Sequence, residues 1–320
     1  MHSESFDVRV QSITWLAHGI HSVILETVDQ RPLPAAQAGA HIDVHLRDRL
    51  TRSYSLVGHG GKPCRYEIAV AKDANSRGGS RYIHDELRVG QDIRISAPRN
   101  LFPLVDSAAP SVLIAGGIGI TPLWSMVQTL EAQGRAWTLH YAARSRRHAA
   151  YLENIEALAA QSRCGQLVLH FDDEQGKPPN MQGWVQSAPA GAHVYCCGPQ
   201  AMLAAYESAT ASLPAAQVHM ERFSAAPASA DDGSFKLVLA RSGKEFSVPA
   251  GQSILDVLLE NAIDAQYGCM QGACGICEMK VLEGTPEHRD SLLSDEVKAA
   301  NQSILICCSR SQTPSLTLDA

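Results

Sequence analysis

Ten residues near the C-terminal end of the chain are Gly268-Cys269-Met270-Gln271-Gly272-Ala273-Cys274-Gly275-Ile276-Cys277, and a further cysteine, Cys307, follows thirty residues later. The spacing C-x₄-C-x₂-C with a distant fourth cysteine is typical of a plant-type [2Fe–2S] site. Three thiolates on one tight loop can surround an iron pair, and glycines let the backbone approach it and direct N–H groups at its sulfurs. The sequence therefore predicts an iron–sulfur cluster held by Cys269, Cys274, Cys277 and Cys307.

Two other interpretations of these cysteines are a zinc site and a set of unreactive core residues. Zinc usually takes paired C-x₂-C units, and only one such unit occurs in this region. The neighbour of Cys307 is also a cysteine, Cys308. Because consecutive residues on a strand point to opposite faces, we expect Cys307, carried by the predicted strand Ile304–Ile306, to bind iron and Cys308 to face away.

Composition narrows the class of protein. A chain of 320 residues predicts two or three domains, and its net charge of −6 gives no basis for binding nucleic acid or an anionic membrane. Met1–Val10 lacks the apolar core of a signal peptide, and no run of about 18 apolar residues predicts a membrane span. The clustering of the nine cysteines toward the C-terminal end favours a reducing cytoplasm.

The pattern of the chain predicts three domains and a linker. Residues 1–104 contain short alternating segments such as His41–Leu46, which predict an antiparallel β-barrel. Residues 105–224 alternate continuous apolar strands with helices, which predicts a doubly wound parallel α/β domain. Residues 225–232 are small and polar, as in a linker. Residues 233–320, with a helix capped by Ser253 before the cysteine loop, have the size and order of a β-grasp domain.

A glycine-rich turn, Gly116-Gly117-Ile118-Gly119-Ile120-Thr121-Pro122, lies where the first predicted parallel strand meets its helix. Ligands bind at that position of an open α/β sheet, and the glycines let N–H groups approach a pyrophosphate. Cys197-Gly198-Pro199 ends a later strand at the same edge. A purely structural turn and a buried small hydrophobic Cys197 remain alternatives.

The predicted barrel carries two further segments of interest. Arg52-Ser53-Tyr54-Ser55 follows a strand, and Arg77-Gly78-Gly79-Ser80 precedes a predicted short helix, Tyr82–Leu87, with Ser80 as its N-cap. Two glycines and a capping serine at a helix start form an anion-binding nest, and Arg77 adds positive charge. An ordinary surface turn is the alternative for the second segment, and Tyr54 could equally be a core aromatic residue.

The number of electrons that each predicted cofactor exchanges predicts a flavin between the nicotinamide and the cluster. A nicotinamide delivers two electrons as hydride, whereas a [2Fe–2S] cluster accepts one at a time. A carrier that accepts a pair and releases single electrons must lie between them, and a flavin does this.

These motifs, together with Glu221-Arg222-Phe223, occur in an order that resembles the phthalate dioxygenase reductase family, and within it the vanillate O-demethylase type. The resemblance implies an FMN-binding barrel, an NAD-binding α/β domain and a C-terminal [2Fe–2S] ferredoxin domain. It implies that flavin is bound by Arg52, Tyr54 and Ser55, with Gly79 and Ser80 at its phosphate. It further implies a dinucleotide site lined by Gly116, Gly117, Gly119 and Thr121, with Cys197 at the nicotinamide. The remaining predicted cofactor contacts are Ser53, Arg77, Gly78, Pro122, Gly198, Pro199 and Phe223, and the predicted catalytic residues are Tyr54, Ser55 and Cys197.

The resulting functional hypothesis is a cytoplasmic, monomeric reductase that passes electrons from NADH through FMN and [2Fe–2S] to a separate Rieske-type oxygenase or O-demethylase. Asp172 and Asp173, after a parallel strand, favour NADH over NADPH, whereas Arg144, Arg146 and Arg147 favour the reverse. The residues alone do not distinguish FMN from FAD. The alternatives are a reductase for another monooxygenase or electron acceptor, and a non-enzymatic metal-binding redox module in which the cysteine loop holds zinc.

Overall fold

The structure is a computed structural model, and it describes residues 4–47, 50–58, 63–73, 78–223, 232–268, 270, 272, 274–290 and 292–320. The predicted cluster ligand Cys269, the predicted phosphate contact Arg77 and residues 225–231 of the predicted linker lie outside the described residues. The chain forms two compact units, Met1–Arg222 and Phe223–Ala320. Within the described ranges, every helix is too short or too polar to cross a membrane.

The first unit begins with a closed antiparallel barrel, which confirms the predicted fold of this segment. Its elements are β1 (Ser5–Ala17), β2 (Ile20–Thr27), β3 (His41–Arg47), β4 (Leu50–Gly58), β5 (Arg65–Ala71), α1 (Gly79–Asp85) and β6 (Asp92–Ser96). The strand order around the barrel is β1-β2-β5-β4-β3-β6. Alternate side chains point inward, so Val8, Ile42, Ile68 and Ile95 are almost completely buried in one core.

The first unit continues with a five-stranded parallel sheet, also as predicted. Its elements are β7 (Ser111–Gly116), α2 (Ile120–Ala132), β8 (Trp137–Ala143), α3 (Leu152–Gln161), β9 (Gly165–Phe171), α4 (Asp172–Gln175), α5 (Met181–Gln186), β10 (His193–Cys197), α6 (Gln200–Thr210) and β11 (Val218–Glu221). Short 3₁₀ turns occur at Gly117–Gly119, Arg146–His148 and Ala215–Gln217.

The strand order of this sheet, β11-β10-β7-β8-β9, creates a crevice beside its central strand. From β7 the chain adds β8 and β9 on one side and then crosses to add β10 and β11 on the other. At such a reversal the connections leave β7 and β10 in opposite directions, which opens a gap at the carboxyl ends of the two strands. The glycine-rich turn follows β7, and Gly198 follows β10, so both predicted dinucleotide segments border this gap.

The second unit is a small mixed sheet with a helix packed on it, as expected for a β-grasp domain. Its elements are β12 (Phe235–Leu239), β13 (Lys244–Val248), α7 (Ile254–Glu260), β14 (Glu278–Glu283), β15 (Pro286–Glu287), α8 (Asp295–Ala300), β16 (Ser303–Leu305), β17 (Arg310–Ser311) and β18 (Ser315–Leu318). The main sheet has the order β13-β12-β18-β14-β16, and β15 pairs with β17. Ser253 caps α7 in a reciprocal capping box with Asp256, so the predicted start of this helix is confirmed.

Candidate functional site

Strand β4 and the turn before α1 lie against each other in the barrel. A β-carbon at Gly79 would lie 2.5 Å from Cγ of Arg52, so the arginine stem occupies the space that any larger residue would need. Tyr54, two residues along β4, packs at the edge of the barrel core, and burial raises the pKa of its hydroxyl. The structure thus brings together Arg52 and the Gly78-Gly79 turn, two parts of the predicted flavin site.

The start of α1 differs from the prediction. The helix spans Gly79–Asp85 rather than Tyr82–Leu87, and its N-cap is Gly78 rather than Ser80. Gly78 has φ +96°, a conformation that glycine adopts without steric cost, so the chain turns there. The hydroxyl of Ser80 instead accepts a hydrogen bond of 3.1 Å from the backbone N–H of Asp73.

Ser53 is engaged elsewhere in the barrel. Its hydroxyl donates to the buried carboxylate of Asp43 on β3, which also forms an ion pair of 2.7 Å with Arg99. Because side chains alternate along β4, Ser53 points to the face opposite Arg52 and Tyr54. Ser53 therefore holds β4 through Asp43 and lies on the same face as Ser55.

The two predicted dinucleotide segments are in contact. Gly117 is left-handed at φ +53°, and a β-carbon at Gly119 would overlap the carbonyl oxygen of Cys197. A β-carbon at Gly116 would lie 2.7 Å from the ring of Pro199. Close backbone approach between these turns is therefore possible only with glycine. The two turns therefore pack closely at the carboxyl ends of β7 and β10, the edge at which ligands bind in open α/β sheets.

Thr121 and Pro122 support this turn from within. Both are buried in the first turn of α2, and the hydroxyl of Thr121 donates to the carbonyl oxygen of Ile118 at 3.0 Å. The side chain of Thr121 thus stabilises the 3₁₀ turn that precedes the helix, instead of projecting into the crevice.

Cys197 ends β10 beside Glu221, which ends β11. The thiol of Cys197 is completely buried, and burial raises its pKa well above the usual value, with a further contribution from Glu221. Burial also raises the pKa of Glu221 to about 8, while the nearby hydroxyl of Ser55 on β4 opposes this shift. At neutral pH both groups are therefore mainly protonated.

Glu221 was not singled out as a site residue from the sequence, although it belongs to the Glu221-Arg222-Phe223 segment. The sequence did contain a feature that could have identified it: a carboxylate at the carboxyl end of the last parallel strand, the edge of the sheet at which ligands bind. Through Glu221, the structure connects Cys197 of the parallel sheet with Ser55 of the barrel. Phe223, a predicted cofactor contact, is the first residue of the second unit.

Two described glycines of the cysteine loop, Gly272 and Gly275, have the backbone conformation that a tight loop predicts. Gly272 and Gly275 are left-handed, at φ +71° and +77°, and β-carbons there would lie 2.6 Å from Sγ of Cys308 and 2.8 Å from a methyl group of Leu292. Neither position has room for a side chain. The loop can therefore fold tightly around a group that its thiols hold.

The thiol of Cys307 lies near that of Cys277 and raises the pKa of Cys277, and burial and the nearby Cys274 raise it further. Three predicted ligands are therefore neighbours. No set of three His, Cys, Asp or Glu side chains within the described ranges is arranged to hold a single metal ion.

The prediction that a strand carries Cys307 is wrong. Strand β16 ends at Leu305, and Cys307 and Cys308 lie in the turn that follows. Strand alternation therefore does not separate the two thiols. The two thiols remain neighbours and differ in their other partners: Cys307 contacts Cys277, whereas Sγ of Cys308 lies 3.7 Å from the carbonyl oxygen of Leu305.

Residues 237–312 match the 2Fe-2S iron-sulfur cluster binding domain family, and residues 113–208 match the oxidoreductase NAD-binding domain family. The chain is 50% identical over 321 residues to tetrachlorobenzoquinone reductase of Sphingobium chlorophenolicum, with 98% of each chain covered. It is 44% identical over 286 residues to vanillate O-demethylase oxidoreductase of Pseudomonas putida, covering 88% of this chain and 90% of the relative. The crystal structure of phthalate dioxygenase reductase, a modular structure for electron transfer from pyridine nucleotides to [2Fe–2S], matches with TM-score 0.76 and 34% identity over 99% of this chain and 98% of that one.

The chain belongs to the phthalate dioxygenase reductase family.

As a member of this reductase family, the protein is an oxidoreductase with FMN, NADH and a [2Fe–2S] cluster, and its electrons pass from NADH through FMN to the cluster. The non-enzymatic alternative is therefore wrong. At Gly79, Gly119 and Gly272 a β-carbon would collide with Arg52, Cys197 and Cys308, so each glycine keeps the backbone close to a neighbour in a predicted cofactor segment, which fits the binding of these groups.

A buried ionic cluster in this reductase fixes the segment that follows Cys307. Arg310, almost completely buried, donates to the backbone carbonyl oxygens of Gly233 (2.9 Å) and Pro249 (3.2 Å) and forms an ion pair with Asp232. Arg289 makes two further hydrogen bonds to Asp232, at 2.7 and 2.9 Å. Because guanidinium groups hold several acceptors in fixed geometry, this cluster ties the start of the second unit to the turn that carries Cys307.

Proposed function

We propose that this protein is the NADH-dependent reductase of a two-component system whose terminal component is a Rieske-type oxygenase or O-demethylase. The observation that carries the proposal is the meeting of Ser55, Cys197 and Glu221 at the border between the barrel and the parallel sheet. A flavin edge and a nicotinamide must approach each other for hydride transfer, and this border is where their predicted contacts converge. The vanillate O-demethylase oxidoreductase relative supports the choice of terminal component.

The proposed flavin site consists of Arg52, Tyr54 and Ser55 on β4 with Gly78, Gly79 and Ser80, and its phosphate lies by Arg52. The contact between Arg52 and Gly79 supports this assignment, because a guanidinium group over an open backbone turn is suited to a phosphate. When bound, the flavin accepts a hydride and releases single electrons. We also propose that Arg77 contacts the flavin phosphate and that Ser53 supports β4.

The proposed dinucleotide site consists of Gly116, Gly117 and Gly119, with Thr121 and Pro122 holding the turn and Gly198 and Pro199 opposite. Cys197 contributes a neutral thiol, since its raised pKa makes it a poor nucleophile at neutral pH. It would therefore support the nicotinamide site from beneath as a small, uncharged, completely buried side chain. Glu221, protonated at neutral pH, would donate a hydrogen bond at the nicotinamide end of this site. We assign Phe223 a place beside these cofactors.

We propose that Cys269, Cys274, Cys277 and Cys307 hold the cluster. The contact of Cys277 with Cys307 and the side-chain-free positions at Gly272 and Gly275 support this set. We also propose the domain limits 1–104, 105–224 and 233–320 with a linker at 225–232, and a monomeric protein in the cytoplasm. Limited proteolysis with iron analysis of the fragments tests the limits, sedimentation tests the monomer, and cell fractionation tests the location.

A second candidate acceptor is a quinone. The relative with 50% identity is named for the reduction of tetrachlorobenzoquinone, and the alignment spans almost the whole of both chains. Both candidates share the NADH-to-flavin half of the reaction and differ only in the acceptor.

Purified holoprotein mixed with NADH distinguishes the two acceptors. We expect NADH oxidation to support product formation by an added vanillate O-demethylase oxygenase, with one NADH consumed per product. A much higher kcat/KM with tetrachlorobenzoquinone, and no turnover with Rieske oxygenases, would favour the quinone instead.

A further inference from the structure

The loop between β8 and α3, residues 144–151, connects the parallel sheet to the barrel. It begins at the carboxyl end of β8, which lies beside β7 on the side opposite β10, and therefore starts next to the glycine-rich turn that follows β7. Its far end reaches the barrel. The backbone N–H of His18, between β1 and β2, donates to the carbonyl oxygen of Arg147 at 2.8 Å, and the His18 and His148 rings meet edge-on at 5.1 Å.

Tyr151 makes the most specific of these contacts. Its hydroxyl donates to Oε1 of Glu67 on β5 at 2.8 Å, and the same oxygen accepts a hydrogen bond of 2.7 Å from the hydroxyl of Ser22 on β2. The ring of Tyr151 is buried, and burial raises the pKa of its hydroxyl, so this group acts only as a neutral donor. Two hydroxyl groups from different parts of the unit thus converge on one carboxyl oxygen.

The backbone of Tyr151 is unusual for an aromatic residue. Its φ is +58°, in the left-handed region that disfavours residues with a β-carbon, and it stands immediately before α3. Such a conformation persists only where the surroundings fix it. Here the hydroxyl bond to Glu67 and the start of α3, where the N–H of Ile155 donates to the carbonyl oxygen of Tyr151, hold the residue from both ends.

Glu67 stands next to the flavin strand. In the register of β4 and β5, Glu67 pairs with Gly58, the last residue of the strand that carries Arg52, Tyr54 and Ser55. A further link joins the same end of β4 to the sheet: the side chain of Gln128 on α2 donates to the carbonyl oxygen of Val57 at 3.2 Å. The Tyr151–Glu67 bond therefore ties the loop that starts next to the glycine-rich turn to the neighbour of the flavin strand.

We propose that Tyr151 is a positioning residue for hydride transfer: its bond to Glu67 sets the separation between the dinucleotide crevice and the flavin strand. This inference rests on the flavin and dinucleotide sites proposed above. Hydride transfer falls steeply with separation, because the reacting atoms must come within about 3–3.5 Å of each other. Loss of the bond lets loop 144–151 move away from β5 while each cofactor keeps its own contacts.

The test is anaerobic stopped-flow reduction of the flavin by NADH in the holoprotein. Tyr151→Phe keeps the buried ring and removes only the hydroxyl. We expect the limiting rate of flavin reduction to fall about tenfold, a part of the roughly hundredfold loss that a 1 Å displacement can cause. Flavin content and the apparent Kd for NADH should stay within about threefold of wild type, since no proposed cofactor contact is removed.

Tyr206→Phe is the matched control. Tyr206 is also fully buried, and its hydroxyl donates to the carbonyl oxygens of Val194 (2.8 Å) and His219 (3.2 Å), both within the parallel sheet. This variant loses comparable hydrogen bonds without affecting the connection to the barrel. It should lower the melting temperature and leave the limiting rate unchanged.

Glu67→Ala provides a second, independent variant and should slow reduction as Tyr151→Phe does. The double variant should be no slower than the slower single variant, because both remove the same bond. Ser22→Ala, which keeps the bond between Tyr151 and Glu67, should resemble wild type. A limiting rate within twofold of wild type in folded, flavin-containing Tyr151→Phe or Glu67→Ala overturns the proposal. Failure of NADH to reduce the wild-type flavin would instead overturn the proposed function.

Discussion

The hydroxyl of Ser55 on β4 lies close enough to the carboxyl group of Glu221, on the edge strand of the parallel sheet, to lower the pKa of that carboxyl group. Oε2 of Glu221 is buried and has no hydrogen-bond partner among the residues that the structure describes. A buried carboxyl group without a cation beside it is more stable in its neutral form, which is why the pKa of Glu221 rises to about 8. The border between the two parts of the first unit thus contains an acid that keeps its proton at neutral pH.

The raised pKa of Glu221 predicts a pH-dependent loss of stability. In the unfolded chain the carboxyl group titrates near 4.5, and in the folded protein near 8. Its contribution to stability is complete below pH 4.5 and is lost as the pH rises to 8, by at most about 1.4 kcal/mol per pH unit. Urea unfolding of wild type and Glu221→Gln between pH 4 and 9 measures this, because the amide does not titrate.

The difference in unfolding free energy between wild type and Glu221→Gln should fall across pH 4.5–8 and be constant on either side. A difference that does not change with pH would show that Glu221 titrates normally in the folded protein.

Substitution of the two neighbouring cysteines should separate the cluster ligand from its neighbour. Cys307→Ser should lose most of the iron and the visible absorption of the cluster, because Cys307 contacts Cys277. It should still reduce ferricyanide with NADH, since hydride transfer to flavin needs no iron, but lose most electron transfer to one-electron protein acceptors. Iron analysis, absorption spectra and the two activities measure these effects.

Cys308→Ser is the matched control and should keep its spectrum, because the Cys308 thiol faces the carbonyl oxygen of Leu305. If Cys308→Ser lost the iron and Cys307→Ser kept it, the ligand assignment would be reversed.

Gly79→Ala should weaken flavin binding. The added methyl group would displace the stem of Arg52, whose Cγ lies 2.5 Å from the β-carbon position, and so remove a charged contact with the flavin phosphate. Loss of such a contact corresponds to roughly ten- to a hundredfold in affinity. Flavin fluorescence during dialysis measures the affinity. Alanine favours helix α1, so a loss could not come from unwinding the helix.

Gly58→Ala, at the end of β4 with open space around its β-carbon, is the control and should bind flavin as wild type does. Equal flavin retention by both variants would place the phosphate away from Gly79.

Release of Arg146 should increase the use of NADPH. Its guanidinium is held by Glu174 (2.8 Å) and Glu156 (3.4 Å) and lies over the ring of Phe171. It is therefore not free to bind a 2′-phosphate, which favours NADH. In Glu156→Gln/Glu174→Gln, kcat/KM for NADPH should rise two- to fivefold, matching the about 0.5–1 kcal/mol of exposed ion pairs. Steady-state kinetics with both coenzymes measure the ratio.

Asp92→Asn breaks the equally exposed ion pair between Asp92 and Arg9 in the barrel and should leave the coenzyme ratio unchanged. An unchanged ratio in the double glutamine variant as well would show that Arg146 does not govern selectivity.

Two predictions from the sequence, the N-cap of α1 and the strand that carries Cys307, were wrong because a second structural requirement overrode the local sequence preference. Ser80 fits an N-cap by residue type, yet Gly78 takes that position, because the chain needs a positive φ there and glycine supplies it. The apolar run Ile304–Ile306 predicts a strand that reaches Cys307. Pairing with β14 ends at Leu305, since the turn must bring Cys307 to Cys277. In the first case a local backbone requirement decided the outcome, and in the second a partner distant in sequence did.

Local sequence patterns specified all three folds. The cysteine spacing predicted the cluster domain, the glycine-rich turn and the continuous apolar strands predicted the parallel sheet, and the alternating strands predicted the barrel. Each pattern depends on chemistry within a few neighbouring residues. The meeting of Ser55 with Glu221 and of Glu67 with Tyr151 was decided only by tertiary structure. In each pair the two residues belong to segments far apart in the chain, and no local sequence pattern predicts the contact between them. Burial at the border between barrel and sheet, which no single segment encodes, raises the pKa of Glu221, while the hydroxyl bond to Glu67 and the start of α3 hold Tyr151 in its left-handed conformation.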